Sequence, residues 1–117
     1  MTFNIDKRFE IISELIPVGI VEMSPGGLIE YVNGAMRKIA GPELGDLTGR
    51  YFWDIEKDNE RRGYLREKFM EVIKAELIEE TIQLRLGLHD GRDVILEARL
   101  NILHDDNGEA EAIIVAA

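Results

Sequence analysis

The sequence predicts an α+β domain built on an antiparallel sheet, and three observations carry that reading. Apolar residues recur at helical spacing near the N-terminus and again over residues 59–77. From residue 78 the period shortens to two, broken by an Asp-Gly and then an Asn-Gly turn. Helical and extended segments are grouped rather than alternating, which argues against a βαβ repeat with its parallel sheet. The 117 residues fit one domain, able to bury roughly two-thirds of the surface its unfolded chain exposes. Apolar residues make up 45% and charged residues 32%, the balance of a globular chain rather than a disordered one.

The first element is a helix over residues 1–16, flanking a domain at residues 17–117. Asn4 caps it, Asp6 favours its positive end, and Ile5, Phe9, Ile12 and Ile16 form a stripe that Ile11 and Leu15 widen. Pro17 stops it, having no backbone donor and restricting the residue before it. Gly19 to Met23 is a short β-branched strand, Ser24-Pro25-Gly26-Gly27 turns the chain, and Leu28 to Val32 completes a hairpin. Asn33 stands where a cap is needed before a brief helix through Ile39, closed by Gly41. Pro42 suits the first turn of a short helix through Leu44, after which Gly45 and Gly49 break regularity. Tyr51, Phe52 and Trp53 are too close together for one helical face, so residues 41–58 read as a wall of short turns.

Asp58 or Asn59 caps the longest helix, which runs to about Leu77 with Leu65, Phe69, Val72, Ile73 and Leu77 on its apolar face. Ile78, Ile82, Leu84 and Leu86 then alternate with Thr81, Gln83 and Arg85 as a strand with one buried side. His89-Asp90-Gly91-Arg92 turns into a second strand, where Val94, Leu96, Ala98, Leu100 and Ile102 alternate with Ile95, Glu97, Arg99 and Asn101. Asp105-Asp106-Asn107-Gly108 turns again, and Ala112 to Ala116 is the last strand.

Charge and composition remove several function classes. A net charge of −9 would repel a phosphate backbone or an anionic bilayer, so neither nucleic acid nor membrane is an expected partner. With no cysteine there is no disulfide, thiolate metal site or thiol nucleophile. The N-terminus lacks a basic region followed by an apolar run, and no segment approaches the roughly 18 apolar residues of a membrane span. A cytoplasmic location is expected.

The element order and its turn residues resemble the PAS family across nearly the whole chain. Leu28-Ile29-Glu30-Tyr31-Val32-Asn33-Gly34-Ala35 is similar to the family's second strand running into its Asn-x-Ala helix start. Gly41 to Gly49, ending Leu47-Thr48-Gly49, resembles its recurrent leucine-x-glycine segment. Asp90-Gly91 and Asp106-Asn107-Gly108-Glu109 fall where the family turns between its last three strands. Ser24 departs from the aspartate that many members carry there. The resemblance implies a five-stranded antiparallel sheet in the order 2-1-5-4-3, with helices enclosing a small cavity on one face. It also implies a sensor or pairing module that controls an attached effector, such as a histidine kinase, a cyclase or a transcription activator.

On that resemblance the cavity wall would fall at Met36, Trp53, Phe69, Ile73, Leu84 and Leu96, residues that equally suit a plain core. Ile5, Phe9, Ile12 and Ile16 would pair two chains or pack on the domain's own sheet. Haem is disfavoured, because relatives that bind it place a histidine on the long helix, and His89 and His104 lie beside hairpin turns, where they read as solvent-exposed turn residues. Flavin that forms a cysteine adduct is disfavoured by the missing cysteine, and the identity of any cofactor stays open. The two histidines cannot furnish a metal-dependent phosphohydrolase site. Calcium binding at Asp105, Asp106, Asn107 and Glu109 fails on spacing: with Gly108 at the sixth position of an EF-hand loop, Leu103 would be the first ligand. An Asx-type turn suits those residues better. Ser13, Ser24, Thr48 and Thr81 have no adjacent histidine, and no phosphate-cradling glycine loop is present.

The preferred expectation is therefore a regulatory domain of a two-component or similar system that binds a small molecule, forms a homodimer, or both. The last strand ends at Ala117, where a connector to an effector would begin, so a fragment of a larger protein is expected. Two rivals stand beside it. One is a small α+β enzyme with a single carboxylate base, for which Glu22 is the least settled acid because the others fall at turns, caps or solvent faces. The other is an interaction module with no ligand.

Overall fold

Among the residues described by the computed structural model, 3–75 and 81–117, the chain forms three helices and five strands. They are α1 (Phe3–Leu15), β1 (Ile20–Met23), β2 (Ile29–Val32), α2 (Gly34–Ala40), α3 (Asn59–Ala75), β3 (Thr81–Gly87), β4 (Asp93–His104) and β5 (Ala110–Ala116), with a 3-10 turn at Phe52–Ile55. The strands make one antiparallel sheet in the order β2-β1-β5-β4-β3.

Register and period two together decide which side chains face inward. Val21 pairs with Val32, Met23 with both Ile29 and Ile113, Ile102 with Ile113, and Leu86 with Val94. These side chains share the face on which Met36 and Ala40 of α2, Phe52, Trp53 and Ile55 of the 3-10 turn, and Leu65 and Phe69 of α3 pack. Fully burying an aliphatic or aromatic side chain is worth about 1.5–3 kcal/mol, so this one cluster is the main source of stability. Helix α1 lies on the other side, its Phe9 ring 5.6 Å from Tyr31 in an edge-on contact.

The glycine turn between β1 and β2 has a steric cause. Gly27 has φ of 93°, and a Cβ there would come within 2.6 Å of the Trp53 ring. Ser24 supplies the acceptor that the hairpin needs: its Oγ accepts the Leu28 N–H at 3.2 Å. At the last hairpin Asp105 Oδ1 accepts the N–H groups of Asn107 and Glu109 at 2.9 and 3.0 Å, an Asx-type turn.

Four expectations change. Asn4 lies inside α1 rather than capping it, since the helix begins by Phe3. No helix forms through Leu44; Gly45 donates to the Pro42 carbonyl in a turn, because Gly45 adopts φ of 68° and stops helical propagation. His89 is half-buried, and its Nε2 lies 2.9 Å from the Asp54 carbonyl rather than in open solvent. Glu56 is fully buried, not at a solvent face. Leu77 and Ile78, expected to end the long helix and open the next strand, lie outside the described residues.

Candidate functional site

Two features join the inner core to the outside of the domain: a small apolar cavity under α3, and the attachment of α1. The cavity has a volume of about 30 Å³ and is walled by Phe52, Leu65, Lys68, Phe69, Val72, Ile82, Leu84, Leu100 and Val115. Drug-sized ligand pockets run to roughly 300–1,000 Å³, so the cavity has space for no more than a water or a methyl group. Of the residues expected at the wall, Phe69 and Leu84 line it. Met36 is buried elsewhere in the core, Trp53 stacks on Tyr51 at 5.0 Å, and Ile73 and Leu96 are half-buried against the same cluster. Ile82, Leu100 and Val115 share the inward phase of Leu84, and Leu65 and Val72 the face of Phe69. Period places all five on inward faces, without separating those that reach the cavity from those that only pack.

Helix α1 is held by a polar node centred on Asn33. Its Oδ1 accepts the N–H groups of Ile20 and Met36 at 2.9 and 3.0 Å, and its Nδ2 donates to the Ser13 and Val18 carbonyls at 2.6 and 2.9 Å. The residue is completely buried with all four side-chain bonds made, which joins α1, β1 and α2 at one point. Beside it the Ser13 hydroxyl is hydrogen-bonded to the Tyr31 hydroxyl, and Tyr31 donates to Glu14 Oε2 at 3.1 Å. Glu14 Oε1 accepts the Gly34 N–H at 2.8 Å, and Arg37 pairs with the same carboxylate at 3.4 Å. The Gly34 N–H holds the Glu14 carboxyl below its usual range; burial opposes it, and Tyr31 and Arg37 each add to the lowering. Burial raises the Tyr31 phenol; the Ser13 bond offsets part of this and Glu14 adds to it.

The opposite side of α1 is bare. Leu15 is 79% exposed, Ile12 57% and Ile11 54%, with Ile16 and Val18 continuing the patch. Of the stripe expected to pair chains, Phe9 is half-buried against Tyr31, whereas Ile12 and Ile16 are open. The Ile5 side chain lies outside the described residues. Gly19 and Ala117 exchange both backbone hydrogen bonds at 2.8–2.9 Å, which sets the exit from α1 beside the end of β5.

A second polar corner, missed by pattern reading, sits at the far end of the sheet. Glu56 Oε1 accepts the Gly87 N–H at 2.8 Å and its Oε2 the Asp58 N–H at 3.0 Å, while Lys57 donates to the Gly87 carbonyl at 2.8 Å. Arg62 closes the corner by donating to the Glu56 and Lys57 carbonyls. No described helix is long and apolar enough to cross a membrane.

A family profile described as PAS fold matches residues 13–117, beginning inside α1. No curated protein sequence matches the chain. Among solved structures, the PAS domain of Bordetella pertussis BvgS superposes with a TM-score of 0.76 at 18% identity, over 96% of this chain and 83% of that one. The PAS domain of an HTR-like protein from Haloarcula marismortui gives 0.68 at 19%, over 97% and 91%. A PAS domain from a two-component sensor histidine kinase gives 0.67 at 17%, over 98% and 96%. At these identities the likeness concerns the fold.

Proposed function

This chain belongs to the PAS family, and from that premise we propose that it is a regulatory sensor module whose output passes through α1. Two chains pair through the bare apolar side of α1, and the pairing sets the activity of an attached effector such as a histidine kinase. The observation that carries this reading is the two-sided character of α1. One side is fastened through Ser13 and Glu14, and the other leaves Ile11, Ile12, Leu15 and Ile16 to solvent. A contiguous apolar patch of that kind is costly on an isolated chain and suits a self-complementary interface. A change in the core that shifts Asn33 moves α1 directly, and the backbone pair between Gly19 and Ala117 ties the end of β5 to the exit from α1.

A second reading, small-ligand binding, is supported by the apolar cavity, which a ligand would have to widen by parting α3 from β3. The enzyme rival is weakened by Glu56. It is the buried acid among the described residues, and each of its oxygens already accepts a backbone N–H, which holds the carboxylate in place as a structural acceptor rather than as a base facing open space.

Multi-angle light scattering across a concentration series tests the pairing. The chain is expected to reach twice its monomer mass, and Ile12→Asp to weaken the dimer at least tenfold, as loss of a central apolar anchor does. A monomer at every concentration would sink the reading.

A further inference from the structure

The two edges of the sheet are treated differently. Along β2, the loop at residues 49–52 supplies backbone partners: Ile29 N–H donates to the Arg50 carbonyl, Gly49 N–H to the Ile29 carbonyl, and Phe52 N–H to the Gly27 carbonyl, at 2.8–2.9 Å. Along β3, among the described residues, only Gly87 is covered, by the Glu56 carboxylate and the Lys57 N–H. Because Gly87 faces away from β4 and the β3–β4 register has no bulge, residues at even steps from it face away too. The N–H and C=O groups of Gln83 and Arg85 therefore point out of the sheet, with no backbone partner among the described residues.

This open edge borders a groove of about 290 Å³ between α3 and β3, walled by Arg61, Tyr64, Leu65, Lys68, Ile82, Gln83, Leu84 and Arg85. Leu65, Ile82 and Leu84 give it an apolar floor, and Arg61, Lys68 and Arg85 a basic rim. Among the described residues, none of these three cations forms a side-chain ion pair with a carboxylate, and no acidic residue lines the groove. In a chain of net charge −9 that is a local reversal of sign.

We propose that the β3 edge is a docking site for an extended, acidic segment of a partner protein, which joins the sheet as a sixth strand. Main-chain hydrogen bonds to Gln83 and Arg85 would supply register, and alternate side chains would supply selectivity. One set of side chains falls beside Arg85 on the outer face and is acidic. The other faces Ile82 and Leu84 in the groove and is apolar. A second copy of this chain is a poor occupant, because pairing β3 with β3 brings Arg85 near its own counterpart. Since Leu65, Lys68, Ile82 and Leu84 wall both the groove and the interior cavity, a docked strand would press on the core.

The probe is a fluorescein-labelled Glu-Val-Glu-Val-Glu-Val peptide, followed by anisotropy against the full chain. Saturable binding that weakens with added salt is expected, with Lys-Val-Lys-Val-Lys-Val bound at least tenfold more weakly. Arg85→Glu should cost roughly tenfold, by removing one attraction and adding one repulsion. Gln83→Pro removes an outward donor while leaving the β3–β4 ladder intact, as proline can on an edge strand, and should abolish binding. On the unmodified chain, the peptide should slow amide exchange at Gln83 and Arg85. Absence of saturable binding, equal affinity for the lysine peptide, full affinity in Gln83→Pro, or unchanged exchange at those two amides would each overturn the proposal.

Discussion

Asn33 and Glu56 are both completely buried polar side chains, one at each end of the sheet, and they hold their halves with different strength. Asn33 bonds four backbone groups drawn from α1, the segment leading into β1, β1 itself and α2. Glu56 bonds two, the N–H groups of Asp58 and Gly87. The surroundings follow the same gradient. Three of the four β1 residues are buried, whereas in β3 burial deepens only toward Leu86 and Gly87. The half that carries α1 is built to be rigid, and the half that carries the cavity and the open edge is built to give.

Asn33→Ala should break the stronger end. It leaves two N–H donors and two carbonyls without their partner inside the protein, at a cost of about 3–5 kcal/mol. Urea unfolding followed by the single tryptophan measures this. A loss below about 1 kcal/mol would mean that water reaches the node and that the two ends do not differ. Glu56→Gln should have the smaller effect, about 2 kcal/mol, because an amide nitrogen replaces one acceptor and confronts an N–H donor. Its damage should be local, with faster amide exchange at Asp58 and Gly87 and little change at Ile20 or Met36. Equal acceleration at all four amides would erase the comparison.

The sequence carried the first of these residues and hid the second, for a physical reason. An N-cap works through neighbours in the chain, so the bond from Met36 to Asn33 was legible from an asparagine before a helical run. The bonds to Ser13, Val18 and Ile20 cross between elements and leave no local pattern. Glu56 makes one local bond and one to Gly87, thirty-one residues away, and between a tryptophan turn and a helix cap it resembles any solvated acid. The strands were legible because period two survives burial of one face. The Pro42 turn was not, since Gly45 outweighed a proline that favours a helix start. Whether an inward side chain lines the cavity or merely packs, as with Leu84 and Leu96, depends on distances that period does not encode.

The smallest expected effect concerns acid, and it separates the halves again. Glu14 and Asp90 both titrate below their usual values of 4.5 and 3.8, each chiefly through a backbone N–H, from Gly34 and from Arg92 respectively. A depressed folded-state value means that the contribution is complete above the unfolded value and fades as pH falls through the folded one. Loosening of α1 should therefore begin below about pH 4.5, and loosening of the β3–β4 turn at lower pH still. Because both groups are exposed, global stability should change little, and the readout must be local. The Phe9 ring resonances report on α1 through Tyr31, and the Arg92 Nε–H, bonded to Asp90 at 2.7 Å, reports on the turn. Glu14→Gln should remove the acid response at Phe9 while leaving that at Arg92. If the Phe9 response survived the substitution, Glu14 would not be the acid-sensitive tie of α1, and the rigidity of that end would rest on Asn33 and on the contacts of Tyr31 with Ser13 and Phe9.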